Sequence, residues 1–129
     1  MRLLRPTYVE VDLDIITHNI NEIKKVIDKN TKLGAVVKAN AYGHGAIEVA
    51  KVLEEENVDY ICVAGLNEAI ELRNNNIKLP ILVMGYTPDD CLDIAIQNNI
   101  TVTIFSKEQA EILLNKSKKT THKANIHIK

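Results

Sequence analysis

The sequence predicts an α/β fold built on a parallel sheet, and two observations lead to that prediction. Six strand-length apolar runs alternate with longer stretches whose apolar residues recur at helical spacing. The inner runs are nearly continuous in aliphatic residues, which is typical of strands covered on both faces of a parallel sheet. The composition, 46% hydrophobic and 26% charged residues in a chain of 129, is that of a globular domain and excludes a disordered or fibrous chain.

The first apolar run differs from the five that follow it. This run, YVEVDL from Tyr8 to Leu13, alternates apolar and polar residues, so we expect it at an edge or in another sheet. The later runs carry no such alternation and predict five strands of one parallel sheet. Those strands are expected at residues 32–39, 60–65, 80–85, 100–105 and 124–129.

Helices are predicted in each interval between these runs. Three polar residues are expected as N-caps, namely Asp14, Asn67 and Ser106, and Gln109 would complete a capping box with Ser106. Pro88 is expected at an early position of its helix, where proline is favoured. The predicted helices cover residues 14–27, 45–57, 66–76, 88–99 and 106–116.

Repeated βα units build either a doubly wound sheet or a (β/α)8 barrel. Neither GxGxxG nor GxxxxGK[ST] occurs in the sequence, which disfavours the nucleotide-binding form of the doubly wound sheet. The barrel is therefore favoured. Since a complete barrel takes about 250 residues, we expect this chain to be the N-terminal portion of one, with an unpaired strand edge at its end.

Charge and hydropathy exclude several classes of partner. The formal net charge of −1 gives no basic surface for nucleic acid, and no apolar run approaches the roughly 20 residues of a membrane span. The N-terminus turns polar too soon for a secretory signal, and Cys62 and Cys91 are expected as buried free thiols, so we expect a cytoplasmic protein. The four histidines show no metal-ligand spacing with the cysteines, so no metal site is predicted.

The segment AVVKANAYGHG, residues 35–45, has the character of a catalytic loop. Lys38 ends a predicted strand, and the carboxyl ends of barrel strands are where catalytic groups gather. Partial desolvation there would favour the neutral, nucleophilic amine, although a lysine that simply extends to solvent explains the position equally well. Gly43 and Gly45 would let backbone amides approach an anion, or would only form a tight turn with His44 as a polar loop residue.

Four stretches of the chain together resemble the N-terminal region of bacterial alanine racemases. They are RPTYVEVDLDIITHNI, VKANAYGHG, NEAIELR and PILVMGYTP, and the KANAYGHG block is the most specific of them. These racemases are pyridoxal-phosphate enzymes with a (β/α)8 barrel and a C-terminal β domain. The resemblance implies that residues 1–13 form a strand segment that belongs with the β domain, and that residues 14–129 form the first part of the barrel.

The resemblance also implies roles for individual residues. Lys38 would hold pyridoxal 5'-phosphate covalently and act as one of two catalytic bases, and Tyr42 would bind the cofactor phosphate. Val36 and Met84 would line the cofactor pocket. Lys129, at the end of an H-[hydrophobic]-K strand, would be a candidate N-carboxylysine.

The activity implied is the interconversion of L-alanine and D-alanine, which supplies D-alanine for peptidoglycan. The second base would be a tyrosine of the C-terminal domain, supplied across a homodimer interface. Three alternatives stay open at this point: a serine racemase, a pyridoxal-phosphate-binding barrel protein without racemase activity, and an inactive fragment.

Overall fold

A computed structural model describes residues 7–129 of the chain. Helices and strands alternate along it almost throughout. In chain order they are α1 (Leu13–Val26), β1 (Gly34–Val36), α2 (Lys38–Tyr42), α3 (Ala46–Glu55), β2 (Tyr60–Val63), α4 (Leu66–Asn74), β3 (Ile81–Val83), a 3-10 helix (Asp89–Cys91), α5 (Leu92–Gln97), β4 (Ile100–Ile104), α6 (Lys107–Ser117) and β5 (Asn125–Ile128).

All five strands lie in one parallel sheet in the order β1-β2-β3-β4-β5, so each strand pairs with the next along the chain. The five strands predicted from the continuous apolar runs are confirmed, although each is shorter than its run. When parallel strands are in sequential order and all their crossover connections have the same hand, every connecting segment lies on the same face of the sheet. This is the arrangement of consecutive units in a (β/α)8 barrel.

Helices therefore cover one face of the sheet, and the other face is more open. Ile61, Ile81 and Ile100 point to the covered face and are fully buried. Leu82 and Thr101 alternate with them and remain half-exposed. The sequence predicted burial of the inner strands on both faces. In the described residues burial is complete on the helix-covered face, whereas on the other face Cys62 and Thr103 are buried but Leu82 and Thr101 are not.

The N-terminal run forms no strand within the described part of this chain, and its assignment to a separate β domain stays a prediction. Residues 8–12 are not in a strand, and Leu13 already belongs to α1, whose N-cap is Asp12 rather than Asp14. Asp12 Oδ1 accepts hydrogen bonds from the amides of Asp14 (2.9 Å) and Ile15 (3.3 Å). Alternation alone does not make a strand, because a strand also needs a partner. Residues 1–6 lie outside the described part of the chain.

The other helix starts are partly as predicted. Ser106 caps α6 by accepting from the Gln109 amide (3.2 Å), but the Gln109 side chain donates to the Thr87 carbonyl (2.9 Å) and does not close a capping box. Gly65 is the N-cap residue of α4, and the expected cap Asn67 lies inside that helix. Pro88 precedes a 3-10 helix rather than entering an α-helix.

Arg73 ties the amino ends of β3 and β4 together. Its guanidinium donates to the carbonyls of Ile77 (2.7 Å) and Leu79 (2.8 Å) before β3, and of Asn98 and Asn99 (both 3.0 Å) before β4. Burial lowers the pKa of Arg73, and the negative charge of Glu54 opposes that effect. This end of the sheet is held by a charged group bonded to backbone on every side.

Cys62 and Cys91 are free thiols, but of the two only Cys62 is buried as predicted, and Cys91 is partly exposed. Cys62 is buried on β2, and burial raises its pKa. Among the described residues no helix combines the length and the apolar character that a membrane crossing requires.

Candidate active site

Lys38 lies shortly after the end of β1, at the start of a left-handed turn. Residues 39–42 have φ between 51° and 55°, so α2 is a single left-handed helical turn made without glycine. The sequence predicted a loop here, and the structure corrects that prediction. Left-handed backbone costs L-residues roughly 1–2 kcal/mol each. Four such residues in succession must therefore be held by their surroundings.

Asn40 accepts several of the hydrogen bonds that stabilise this turn. Its carbonyl accepts from the amides of Gly43 (3.0 Å) and Gly45 (3.1 Å), and its side-chain Oδ1 accepts from the amide of Ala46 (2.8 Å), the first residue of α3. The amide of His44 is also bonded within the turn. These amides are thus engaged, and the anion cradle that the glycines suggested is not formed. The simpler reading, a tight turn carrying an exposed polar His44, is the one the structure shows.

Glu68 holds the turn from outside. One carboxylate oxygen of Glu68 accepts from the amide of Ala39 (2.7 Å), immediately after Lys38. The other accepts from the amides of Ala64 (2.8 Å) and Gly65 (3.1 Å), between β2 and α4. A single side chain therefore joins the carboxyl ends of two neighbouring strands.

The charge of Glu68 is favoured by these contacts. Desolvation alone would raise its pKa, but the amides of Ala39, Gly65 and Ala64 and the positive charge of Lys38 together hold the pKa below its ordinary value. Sequence reasoning missed this residue. The available signal was a glutamate three positions after Gly65, which is the spacing at which a side chain reaches back to an N-cap amide.

Two of the cofactor-lining residues predicted from the sequence share the open face of the sheet. Val36 pairs in register with Cys62, which pairs with Leu82. The next layer along the sheet comprises Lys38, Ala64 and Met84, each two residues beyond these and just past the carboxyl end of its strand. Because β2 lies between β1 and β3, Lys38 and Met84 follow strands that are two spacings apart, about 10 Å.

Close contact between β2 and β3 keeps this layer together. The amide of Met84 donates to the Val63 carbonyl (2.9 Å), and that of Gly85 donates to the Ala64 carbonyl (3.1 Å). A Cβ atom at Gly85 would lie 2.4 Å from the Ala64 oxygen, so only glycine fits there. Gly85 thereby sets how closely the strand ends approach beneath Met84.

Tyr42 and Lys129 are both exposed, and both lie beyond the carboxyl ends of strands, Tyr42 after β1 and Lys129 after β5 at the opposite edge of the sheet. Tyr42 ends the left-handed turn with 61% of its surface accessible, so its hydroxyl is available to a ligand. Lys129 follows β5, and its amine lies 5.9 Å from the centroid of the Phe105 ring. That contact suits a cation, so it gives no support to carboxylation, which stays a prediction.

A separate apolar groove of about 580 Å³ lies between α6 and β5, lined by Leu113, Ala124 and Ile126 among others. It is at the far edge of the sheet from β1, and its lining is mainly aliphatic. None of the site residues predicted from the sequence is part of its lining.

Comparison with known proteins agrees with this geometry. Residues 11–129 match the family model "Alanine racemase, N-terminal domain". Alanine racemase 1 of Caldanaerobacter subterraneus subsp. tengcongensis is 51% identical over 126 residues, which cover 98% of this chain and 32% of that protein.

Solved structures show the same relationship. The alanine racemase of Clostridium difficile 630 in complex with cycloserine superposes with a TM-score of 0.93 at 46% identity, covering 98% of this chain and 34% of that one. The enzyme from Bacillus anthracis with bound L-Ala-P gives a TM-score of 0.89 at 38% identity, covering 99% and 33%. The chain thus spans about a third of the length of the relatives it matches. Its parallel sheet and helices are those of the N-terminal part of the alanine racemase barrel, and the chain belongs to the alanine racemase family.

Proposed function

We propose that the protein containing this chain is a pyridoxal-phosphate-dependent alanine racemase that interconverts L-alanine and D-alanine. The observation that supports this most directly is the position of Lys38, a lysine at the carboxyl end of a parallel strand, fixed in a turn that is itself anchored on both sides. Membership of the family and the shared barrel architecture support the same conclusion.

The residues around Lys38 fit pyridoxal 5'-phosphate chemically. A primary amine suits its aldehyde, the exposed Tyr42 hydroxyl suits its phosphate, and Val36, which is 41% exposed, and Met84 offer apolar surface to its ring. When bound, this cofactor supplies an electron sink that stabilises negative charge at the Cα of an amino acid. Val36 and Met84 would also exclude water from one side of the ring.

Lys38 has two successive tasks in this proposal. Its amine would hold the cofactor. The same amine would also accept the Cα proton on one face of the substrate and return it there. The anchored turn keeps this amine directed at one face throughout.

Racemisation requires a second base on the opposite face. We assign that base to a tyrosine of the C-terminal domain, contributed by the partner subunit of a homodimer, as the resemblance implies. Residues 1–13 would then form the segment that joins the β domain, and residues 14–129 the first part of the barrel. A cytoplasmic enzyme that supplies D-alanine for peptidoglycan is consistent with the free thiols of Cys62 and Cys91.

The test is an assay of the full-length protein with pyridoxal phosphate, measuring D-alanine formed from L-alanine. We expect activity in the wild type and in Lys51→Ala, which removes an exposed lysine of α3, and a loss of at least about 10³-fold in Lys38→Ala. L-Serine is assayed in parallel. If L-serine is turned over faster than L-alanine, serine is the substrate. If neither amino acid is racemised, the racemase assignment is refuted.

A further inference from the structure

Glu68 is the side chain that contacts the Lys38 turn most directly from another element. It extends from the first turn of α4, and its two oxygens are bonded to different segments. Among the described residues, the hydrogen bond from the Ala39 amide is the one that ties the start of the left-handed turn to a side chain elsewhere in the chain.

The bond to Ala39 acts on a particular peptide plane. The Ala39 amide belongs to the peptide that joins it to Lys38, and its orientation sets ψ of Lys38 and φ of Ala39. The run of left-handed φ values begins at Ala39, directly after this peptide. Fixing the plane therefore constrains ψ of Lys38, and with it the orientation of the Lys38 Cα–Cβ bond relative to the turn.

The second oxygen gives this bond a rigid support. It accepts from Ala64 and Gly65, where β2 passes into α4, so the carboxylate is held in place before it contacts Ala39. The position of the Lys38 turn is thereby fixed relative to the end of β2, which lies between β1 and β3. A displacement of Glu68 would change the angle of the Lys38 side chain across the open face.

We propose that Glu68 is a positioning residue for Lys38, whose carboxylate fixes peptide 38–39 and so directs the lysine amine toward the cofactor and the substrate Cα. This inference rests on the proposed function, because it assigns Glu68 a task only if Lys38 carries the cofactor. It requires a group that accepts hydrogen bonds on both sides, which a carboxylate does and an amide does not.

The substitution Glu68→Gln tests this requirement with little change in volume. The amide group of glutamine has one accepting oxygen, so its N–H₂ would face a backbone N–H on one side. The matched control is Glu71→Gln, an exposed glutamate on the same helix. Glu68→Asp is a second variant, which keeps a carboxylate near Ala64 and Gly65 but is one methylene too short to reach Ala39 as well.

Two readouts are measured on full-length protein at a temperature where every variant is folded. The first is amide hydrogen exchange of the peptide spanning residues 37–45 in cofactor-free protein. The second is the affinity for pyridoxal phosphate, followed by the visible absorbance of bound cofactor, together with kcat and KM for alanine. We expect faster exchange in both Glu68 variants, about tenfold weaker cofactor binding, and a fall of about tenfold in kcat with little change in KM.

The possible outcomes separate this inference from the function on which it rests. If the Glu68 variants match Glu71→Gln in exchange and in cofactor binding, the positioning role is wrong. If exchange is faster but cofactor affinity and kcat are unchanged, Glu68 is only structural and the inference is equally wrong. If wild-type protein binds no pyridoxal phosphate at Lys38, the proposed function itself fails.

Discussion

At the amino ends of the strands, Arg73 donates to four backbone carbonyls and Glu54 accepts from the amides of Lys78 and Leu79. At the carboxyl ends, Glu68 binds backbone in a similar way, but the neighbouring side chains differ. Within residues 7–129, the Lys38 amine makes no hydrogen bond or ion pair with another side chain, and Tyr42 is exposed. One end uses its charged groups for stability, whereas the other keeps reactive groups free on a rigid support.

The largest expected effect comes from exchanging the two charged groups in turn for an apolar residue. Arg73→Met leaves four carbonyls without their partner, and we expect a loss of about 3 kcal/mol in the free energy of unfolding. Lys38→Met should change that free energy by less than about 0.5 kcal/mol. Chemical denaturation of the cofactor-free protein measures both. Equal losses would abolish the distinction between the two ends.

A smaller effect is expected from the glycine that sets the approach of β2 and β3. Gly85→Ala forces a Cβ to within 2.4 Å of the Ala64 oxygen, so the strand ends must move apart, at about 2 kcal/mol. Gly34→Ala is the matched control, since its Cβ would lie 3.3 Å from Cys62 Sγ, a side-chain atom. Thermal midpoints compare the two. A larger loss in Gly34→Ala would contradict the tight contact assigned to Gly85.

Tyr42→Phe separates binding from stability at the carboxyl end. We expect cofactor affinity to fall by about tenfold, the value of roughly one hydrogen bond, with no change in thermal midpoint because the hydroxyl is exposed. Tyr86→Phe, at a tyrosine that is 60% exposed, serves as the control and should leave both quantities unchanged. Unaltered cofactor affinity in Tyr42→Phe would remove the phosphate role from Tyr42.

The smallest effect concerns pH. The pKa of Glu68 is lowered in the folded chain from its ordinary value of 4.5, so its contribution to stability is present above that value and is lost as pH falls through the lower folded pKa. The difference in thermal midpoint between wild type and Glu68→Gln should therefore shrink as pH is lowered from 7 to about 3. A difference that stays constant across this range would mean that the Glu68 charge does not stabilise the turn.

The sequence was most informative where structure is local. The continuous apolar runs located all five strands, and Ser106 was correctly identified as a cap, because periodicity and capping depend on neighbours in the chain. Lys38 and Met84 were located at strand ends for the same reason. The run from Tyr8 to Leu13 pairs with no strand of the described chain, and its alternation gives no information about where a partner strand would lie.

Non-local features could not be predicted in the same way. Ala39 and Ala41 favour a right-handed helix by propensity. Their left-handed backbone depends on the hydrogen bond that the Ala39 amide donates to Glu68 and on bonds within the turn. The contact of Glu68 with Ala39 spans 29 positions and exists only once β1 and β2 are paired. The bonds from the Gly43 and Gly45 amides to Asn40 are local, but they depend on the left-handed backbone of the turn.

The central claim is that the carboxyl end of β1 presents Lys38 as the cofactor-binding amine of a racemase. Full-length protein is incubated with pyridoxal phosphate and reduced with borohydride, and the modified lysine is then located by peptide mass spectrometry. We predict one predominant modified residue, Lys38, with exposed lysines such as Lys51 modified only at background level. Modification spread evenly over the surface lysines, or absent from Lys38, would contradict the account.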